Sequence, residues 1–411
     1  MSKELKRQLA LIFGFVFIDL LGYSLILPLL PYYAANFGAS VAVIGLLGTV
    51  NAIGQLIAAP VIGRLSDRYG RRPLLIVAII GTVVAFLMLG FAKTLFLVFA
   101  SRIVDGLLGG NTALARAYIT DVTDSKNRAR GLGIIGAAFG LGFIIGPAMG
   151  GFLSQYGYNV PAFVAAGLSF VNLIAVLIWL PESLPAEERG RMRTNPRTAF
   201  SLKFLLEELR RPCVGPLLNI RLFYSIAFTL FQANFALYAK EHLGLAAQNT
   251  AYVLTYVGLL SVLVQGFAIG KLTDRFRERS LIYTGTIILA VALLAWGFAP
   301  NVWLLLVVLA PIALSAGILN TVITSQTTKF ILKEDIGGTL GLANSMQTFA
   351  QIIAPGIGGL LLQYGGTWTL GALASLIMAG TALYTRKKVM NQPEADGPHC
   401  YCEEEAIPQT G

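Results

Sequence analysis

The chain is predicted to be an all-α membrane protein, with twelve transmembrane helices arranged as two pseudo-symmetric six-helix bundles. Three observations predict this: a tandem repeat, a series of span-length apolar runs, and a one-sided distribution of basic residues. G-R-L-S-D-R-Y-G-R-R at Gly63–Arg72 returns as G-K-L-T-D-R-F-R-E-R at Gly270–Arg279. I-I-G-P-A-M-G-G-F-L-S-Q-Y-G, ending at Gly157, returns as I-I-A-P-G-I-G-G-L-L-L-Q-Y-G, ending at Gly365. The copies are offset by 207 and 208 residues, so the chain is two similar halves in tandem, a common construction of transporters.

The apolar runs come next. With 55% hydrophobic and 13% charged residues, the chain holds about half the charge of a soluble domain. Its mean hydropathy is +0.70. A run of about 18–25 apolar residues crosses a hydrocarbon core of about 30 Å, and in lipid only a helix bonds all its own backbone groups. Six such runs fall at 9–31, 40–62, 73–92, 95–119, 131–154 and 160–180. Six more fall at 216–238, 249–270, 281–299, 301–326, 337–363 and 367–384. The first is span-length and runs directly into Pro28 and Pro31, so it is expected to stay as helix 1 rather than be cleaved as a leader.

The charge of +10 is a topology signal. Basic residues gather in Lys3–Arg7, Arg64–Arg72, Lys126–Arg130, Arg189–Arg211, Lys271–Arg279, Lys329–Lys333 and Arg386–Lys388, all on one side of a twelve-span threading. The opposite loops hold Lys93 and Lys240. This positive-inside pattern puts both termini in the cytoplasm of a multi-pass plasma (inner) membrane protein, touching anionic lipid rather than nucleic acid. The division is 1–180 for the first bundle, 181–213 for a cytoplasmic linker, 214–388 for the second bundle and 389–411 for a disordered tail. Within the linker, Phe200, Phe204, Leu205 and Leu209 share one face of a short amphipathic helix. Cys213, Cys400 and Cys402 lie on the cytoplasmic side, where disulfides are disfavoured.

Several polar residues stand out against this background. In the turn after span 2, Gly63 is expected to allow a close helix approach and Asp67 to cap a helix end. Arg68, Arg71 and Arg72 flank Gly70 there and can pair with acids or lipid phosphates, with Asp121 and Arg128 as nearby charged partners. Such a cluster is either a static cap or a latch that forms in one conformation and opens in another. The second copy supplies Gly270, Asp274 and Arg275. Asp19 lies about a dozen residues past the basic N-terminus, near the midplane, where an ionised acid costs about 2.5–3.5 kcal/mol or more. Arg102 and Asp105, three apart in span 4, share a face. Span 5 carries Gly142, Gly146, Pro147, Gly150 and Gly151, with small residues at the fourfold spacing that lets helices pack closely. Arg221, early in span 7, reads as a snorkelling or latch-associated residue. Tyr23, Gln232, Phe235, Tyr256, Asn320 and Gln347 are candidates for an aromatic, sparsely polar substrate cavity, although each residue type also serves as packing between helices.

These motifs resemble a known family. G-x-x-x-D-R-x-G-R-R is similar to the signature of the major facilitator superfamily, across essentially the whole chain to Lys388. The second copy departs from it, with Arg277 at the glycine position and Glu278 intruding. G-P-A-M-G-G in span 5 and D-L-L-G-Y-S-L-I-L-P-L-L-P from Asp19 to Pro31 resemble the drug:proton antiporter branch, whose tetracycline and multidrug exporters share the pattern. The resemblance implies the major facilitator fold, alternating access, and a sealing role for the span-5 motif against the opposite half. R-I-V-D-G at Arg102–Gly106 is similar to the family's R-x-x-x-G motif, where the arginine is linked to proton coupling. Asp105 replaces the usual Gln or small residue, and it is either a second titratable site or the counter-ion of Arg102.

The expectation is a monomeric secondary transporter, not an enzyme. It exports a small drug-like or amphipathic molecule against a flow of protons, with the proton gradient as driving force and no cofactor. A proton-linked uptake permease is the alternative, and a membrane enzyme or receptor is a distant third. The sequence has no G-x-x-x-x-G-K-S/T loop for ATP, and its two histidines, His242 and His399, build neither a zinc site nor a His-based triad.

Overall fold

The computed structural model describes residues 3–123, 128–185, 189, 209, 211, 214–330 and 336–390. The linker helix before Leu209, the three cysteines and the tail from residue 391 lie outside these residues, as does the Arg128 side chain, whereas Val389 and Met390 of the expected disordered tail are in a helical turn. Among the described residues every regular element is helical, and eleven stretches are long and apolar enough to cross a membrane. The expected span 4 is the one missing from that set, because it is two shorter helices. The twelve segments are those of the predicted fold class.

The helices of the first half are α1 (Lys3–Ile26), α2 (Leu30–Ala35), α3 (Val41–Tyr69), α4 (Arg71–Gly90), α5 (Leu95–Leu108), α6 (Asn111–Val122), α7 (Arg128–Leu153) and α8 (Asn159–Trp179). Those of the second half are α9 (Val214–Leu243), α10 (Ala247–Leu263), α11 (Ile269–Arg275), α12 (Glu278–Gly297), α13 (Val302–Lys329), α14 (Ile336–Tyr364) and α15 (Trp368–Thr385). A π-helical turn at Val264–Ala268 joins α10 to α11. Local chemistry sets the ends. Ser40 and Thr94 each accept a bond from a first-turn N–H, at 3.4 Å from Val43 N and 3.4 Å from Leu97 N, and Asn301 does the same at 2.9 Å from Leu304 N.

The chain divides into two compact units. The first comprises residues 1–194 together with 234–259 and 355–363. It is built on the packing of α1 against α7, α4 against α8, and α3 against α5. Its buried core joins Ile12 and Phe15 of α1 to Ile79 of α4, Tyr118 of α6, Ile135 of α7 and Val176 of α8. Segment 245–250 is fastened inside this unit by Tyr32, whose hydroxyl lies 2.8 Å from Leu245 O and 2.6 Å from Thr250 Oγ1. Burial pushes the Tyr32 phenol up to about 12, so it stays protonated across the ordinary pH range.

The second unit comprises 195–233, 260–354 and 364–411, with α12 packed between α13 and α15. A Cβ built on Gly297 would lie 3.1 Å from Gly371 Cα, so α12 and α15 meet backbone to backbone. Trp296 meets Phe231 edge-on at 4.9 Å. Arg221 is buried here and donates to Asn320 Oδ1 at 2.6 Å, which corrects the expectation of a snorkelling side chain. A hydrogen-bond acceptor inside the unit holds the guanidinium more directly than a distant interface would.

Candidate functional site

The polar centre of the first unit is assembled around a break in span 4. The two glycines Gly109 and Gly110 separate α5 from α6. Gly109 N donates to Asp105 O at 2.7 Å, and a Cβ on Gly109 would run into that same carbonyl. The backbone therefore turns where a side chain has no room, and Asn111 becomes the first residue of α6.

Asn111 is 3% exposed, and its amide Nδ2 donates to Asp19 Oδ1 of α1 at 2.6 Å and to Thr82 Oγ1 of α4 at 3.1 Å. A bond from an amide to a carboxylate is charge-assisted and among the stronger hydrogen bonds. On the other side of the break, Arg102 and Asp105 of α5 are 3% and 7% exposed. Arg102 Nη1 lies 3.5 Å from Asp105 Oδ2, which also accepts from Asn51 Nδ2 of α3 at 3.0 Å. Asn51 donates further to Arg102 O at 3.1 Å and accepts from Gln55 at 2.8 Å. The guanidinium carbon of Arg102 sits 5.8 Å from the centre of the Phe86 ring. Helices α3 and α5 approach closely enough for this because a Cβ on Gly54 would lie 3.0 Å from Gly106 Cα.

The two acids are thus held differently. Asp105 has a cation and an amide, whereas Asp19 has the Asn111 amide and makes no ion pair among the described residues. Asn51, Gln55, Thr82 and Asn111 were not singled out from sequence. The signal that would have found Asn51 and Gln55 is a pair of amides four apart inside an apolar span.

The first copy of the repeated motif forms a charge cluster. Arg71 reaches Asp67 at 2.7 Å, Asp121 at 2.9 Å and Ser66 Oγ at 2.6 Å. Asp121 also accepts from Ser183 Oγ at 3.0 Å. Gly70 has φ +105°, the left-handed region that separates α3 from α4. Glu182, unforeseen in the sequence, caps α4: its carboxylate accepts from Arg71 N at 2.8 Å and Arg72 N at 3.2 Å. Arg72 Nη2 donates to Leu177 O at 2.6 Å, and Arg68 lies over Tyr69. Gly63 corrects an expectation, since among the described residues a Cβ there would meet nothing within 4 Å. Gly270 is equally open.

The second copy is not brought together in this way. Asp274 and Arg275 are exposed and make no ion pair among the described residues, whereas the intruding Glu278 takes Lys329 at 2.9 Å and Ser325 at 3.2 Å. Because Glu182 alone caps the start of α4 among the described residues, Glu182→Ala is expected to cost about 1–2 kcal/mol. Thermal or denaturant unfolding of the purified protein measures it, and an unchanged midpoint would contradict the capping role.

In α7 the glycines divide between two neighbours. Gly142, Gly146 and Gly150 face α1: a Cβ on Gly142 would lie 3.1 Å from Leu20 Cβ, and one on Gly146 3.0 Å from Leu25 N. Ser24 Oγ donates to Gly142 O at 2.7 Å across this seam. The expected contact with the second half of the chain falls instead to Gly151, whose Cβ would lie 2.8 Å from Ala251 Cβ of α10. Pro147 adds a second contact. It lacks an N–H, so the Phe143 carbonyl four residues earlier loses its helical partner. Gly258 of α10 packs against that carbonyl, with a Cβ there only 2.7 Å from Phe143 O. Gly258→Val overpacks this seam at a cost of about 1–3 kcal/mol, enough to deplete the arrangement roughly fivefold to 150-fold. Transport per expressed molecule should fall accordingly, and full activity would show that this close contact is not needed for transport.

The cavity candidates are spread over both units. Tyr23 and Tyr256 are half-buried, Phe235 is fully buried, and Gln232, Asn320 and Gln347 are exposed.

The Major Facilitator Superfamily profile matches residues 12–264 and 217–398. Solute carrier family 22 member 18 of Rattus norvegicus is 28% identical over 370 residues, covering 89% of this chain and 90% of the relative. The class C tetracycline resistance protein of Escherichia coli is 29% identical over 383 residues, covering 92% and 94%. Among solved structures, the human organic anion transporter MFSD10 superposes with a TM-score of 0.69 at 20% identity, over 93% of this chain and 100% of that one. Duplicated halves, twelve apolar segments, a charged turn after the second segment and a profile match along nearly the whole chain agree: this integral membrane protein belongs to the Major Facilitator Superfamily, whose members are transporters and not enzymes.

Proposed function

We propose that the protein is a monomeric proton-coupled antiporter that exports a small, amphipathic, drug-like molecule from the cytoplasm, with both termini cytoplasmic in an inner or plasma membrane. The observation that carries this reading is the contrast between its two intramembrane acids. Asp105 has a buried guanidinium at 3.5 Å as counter-ion, and Asp19 has the Asn111 amide instead. An acid inside the bilayer with no ion-pair partner is the group suited to exchange a proton for a substrate. Neutralising Asp19 from one side and displacing that proton from the other couples the two flows. Exchange of one proton for one monocation draws on ΔpH alone, whereas a neutral substrate also draws on membrane potential.

Similarity to a tetracycline resistance protein supports a drug-like substrate and export. Similarity to a solute carrier keeps proton-linked uptake as the second reading. The charge cluster of Arg71, Asp67 and Asp121 would serve as a latch between conformations, with Tyr23 and the other cavity candidates facing substrate. Ethidium and tetracycline accumulation in efflux-deficient cells tests the proposal. Lower accumulation on expression, restored by a protonophore, is the expected result, and higher accumulation on expression would favour uptake.

A further inference from the structure

We propose that one anionic phospholipid of the inner leaflet occupies a groove between α3, α4 and the end of α5, with its acyl chain in the groove and its phosphate on Arg64 and Arg68. The groove encloses about 310 Å³, and its lining is entirely apolar. The small, buried Ala58 and Ala78 line it together with the branched side chains of Val61, Leu65, Val77 and Leu107. Small residues on two adjacent helices, flanked by large ones, leave a furrow rather than a flat face. Ile57 and Val61 at its edge are 59% and 47% exposed.

What fits this furrow follows from the rest of the helix face. Ile57, Val61, Arg64 and Arg68 recur at the helical spacing that puts them on one stripe of α3. At 1.5 Å per residue the stripe runs about 16 Å, close to half of a hydrocarbon core of about 30 Å. It therefore reaches from near the midplane to the headgroup level of a single leaflet. Its outer end is basic. Arg64 Nε is bonded to Pro60 O of its own helix at 3.1 Å, and Arg68 lies over the Tyr69 ring at 5.4 Å. Neither makes an ion pair among the described residues, and Asp67, between them in sequence, is engaged by Arg71 at 2.7 Å. Two guanidinium groups on the same stripe as an apolar furrow match a phosphodiester with a chain attached. A zwitterionic lipid offers the same chain but balances the phosphate with its own cation.

The test uses the purified full-length protein in mild detergent, with phosphatidylglycerol, phosphatidylcholine or glycerol phosphate added. Phosphatidylglycerol should raise the unfolding midpoint of the wild type by about 3 °C or more. Phosphatidylcholine and glycerol phosphate should leave it unchanged. Arg64→Gln, which removes a phosphate partner, and Val61→Trp, which fills the furrow, should each at least halve the shift. Native mass spectrometry should show one retained phosphatidylglycerol on the wild type and fewer on either variant. Equal shifts from the two lipids, a full shift from glycerol phosphate, or an undiminished shift in both variants would overturn the proposal. So would a dimer that Val61→Trp dissociates, since the furrow would then belong to a second copy of the chain.

Discussion

Asp19→Asn is expected to abolish ΔpH-driven transport while leaving substrate counterflow intact. The substitution keeps the size of the side chain and a partner for Asn111, whose Nδ2 lies 2.6 Å from the carboxylate, but removes the site that takes a proton. Driven transport should fall at least about 100-fold, the scale on which a positioned proton-transfer group acts. Counterflow, in which substrate exchanges for substrate, needs no net proton movement and should persist. Proteoliposomes measure both with one preparation. If Asp19 is a buried structural acid, the variant will lose both activities together through misfolding or keep both. A variant that still drives accumulation from a pH gradient removes Asp19 from the coupling path.

The second large effect concerns Arg102 and Asp105, and it separates the two readings of Asp105. If Asp105 is the counter-ion, Asp105→Asn leaves the guanidinium of Arg102 buried and uncompensated, at a cost of about 3–5 kcal/mol. The same logic applies to Arg102→Met, which strands the carboxylate. The double variant Arg102→Met/Asp105→Leu removes both charges and should recover most of the lost stability, since a buried pair stabilises little over apolar residues of similar volume. Unfolding of the wild type and the three variants in detergent measures these differences. If Asp105 is instead a second titratable site, Asp105→Asn will be as stable as the wild type and will lose coupling as Asp19→Asn does. The geometry favours the counter-ion outcome, because Asp105 already holds both Arg102 and the 3.0 Å bond from Asn51.

Periodic and repeated features were legible in the sequence. The tandem motifs, the apolar runs and the spacing of Arg102 and Asp105 all depend on residues near one another along the chain, and the structure has eleven of the twelve runs as span-length helices and Arg102 beside Asp105. The break in span 4 was not legible, since two glycines inside an apolar run read equally well as helix packing. Without the break, nothing marks Asn111 as the residue that meets Asp19 from 92 positions away. Glu182 was hidden for the same reason: it caps backbone N–H groups 111 and 110 residues earlier, a pairing that tertiary contact alone creates. Gly63 shows the opposite error, a motif glycine given a packing role where no described residue comes within 4 Å of its added Cβ. In span 5 the fourfold spacing correctly announced a close helix contact but not its partner. Gly142, Gly146 and Gly150 turn to α1, and only the adjacent Gly151 meets α10. Spacing defines a face, and the neighbour that covers it is a property of the whole fold.

The most direct test of the account is the direction of proton flow when substrate moves. Proteoliposomes holding the wild-type protein, an acidic lumen and an entrapped pH indicator are given a transported substrate from outside. Antiport through Asp19 predicts that substrate entry drives protons out, so the lumen becomes more alkaline, and that Asp19→Asn gives no change. Substrate entry with a lumen that acidifies, or with no change at all in the wild type, would contradict it.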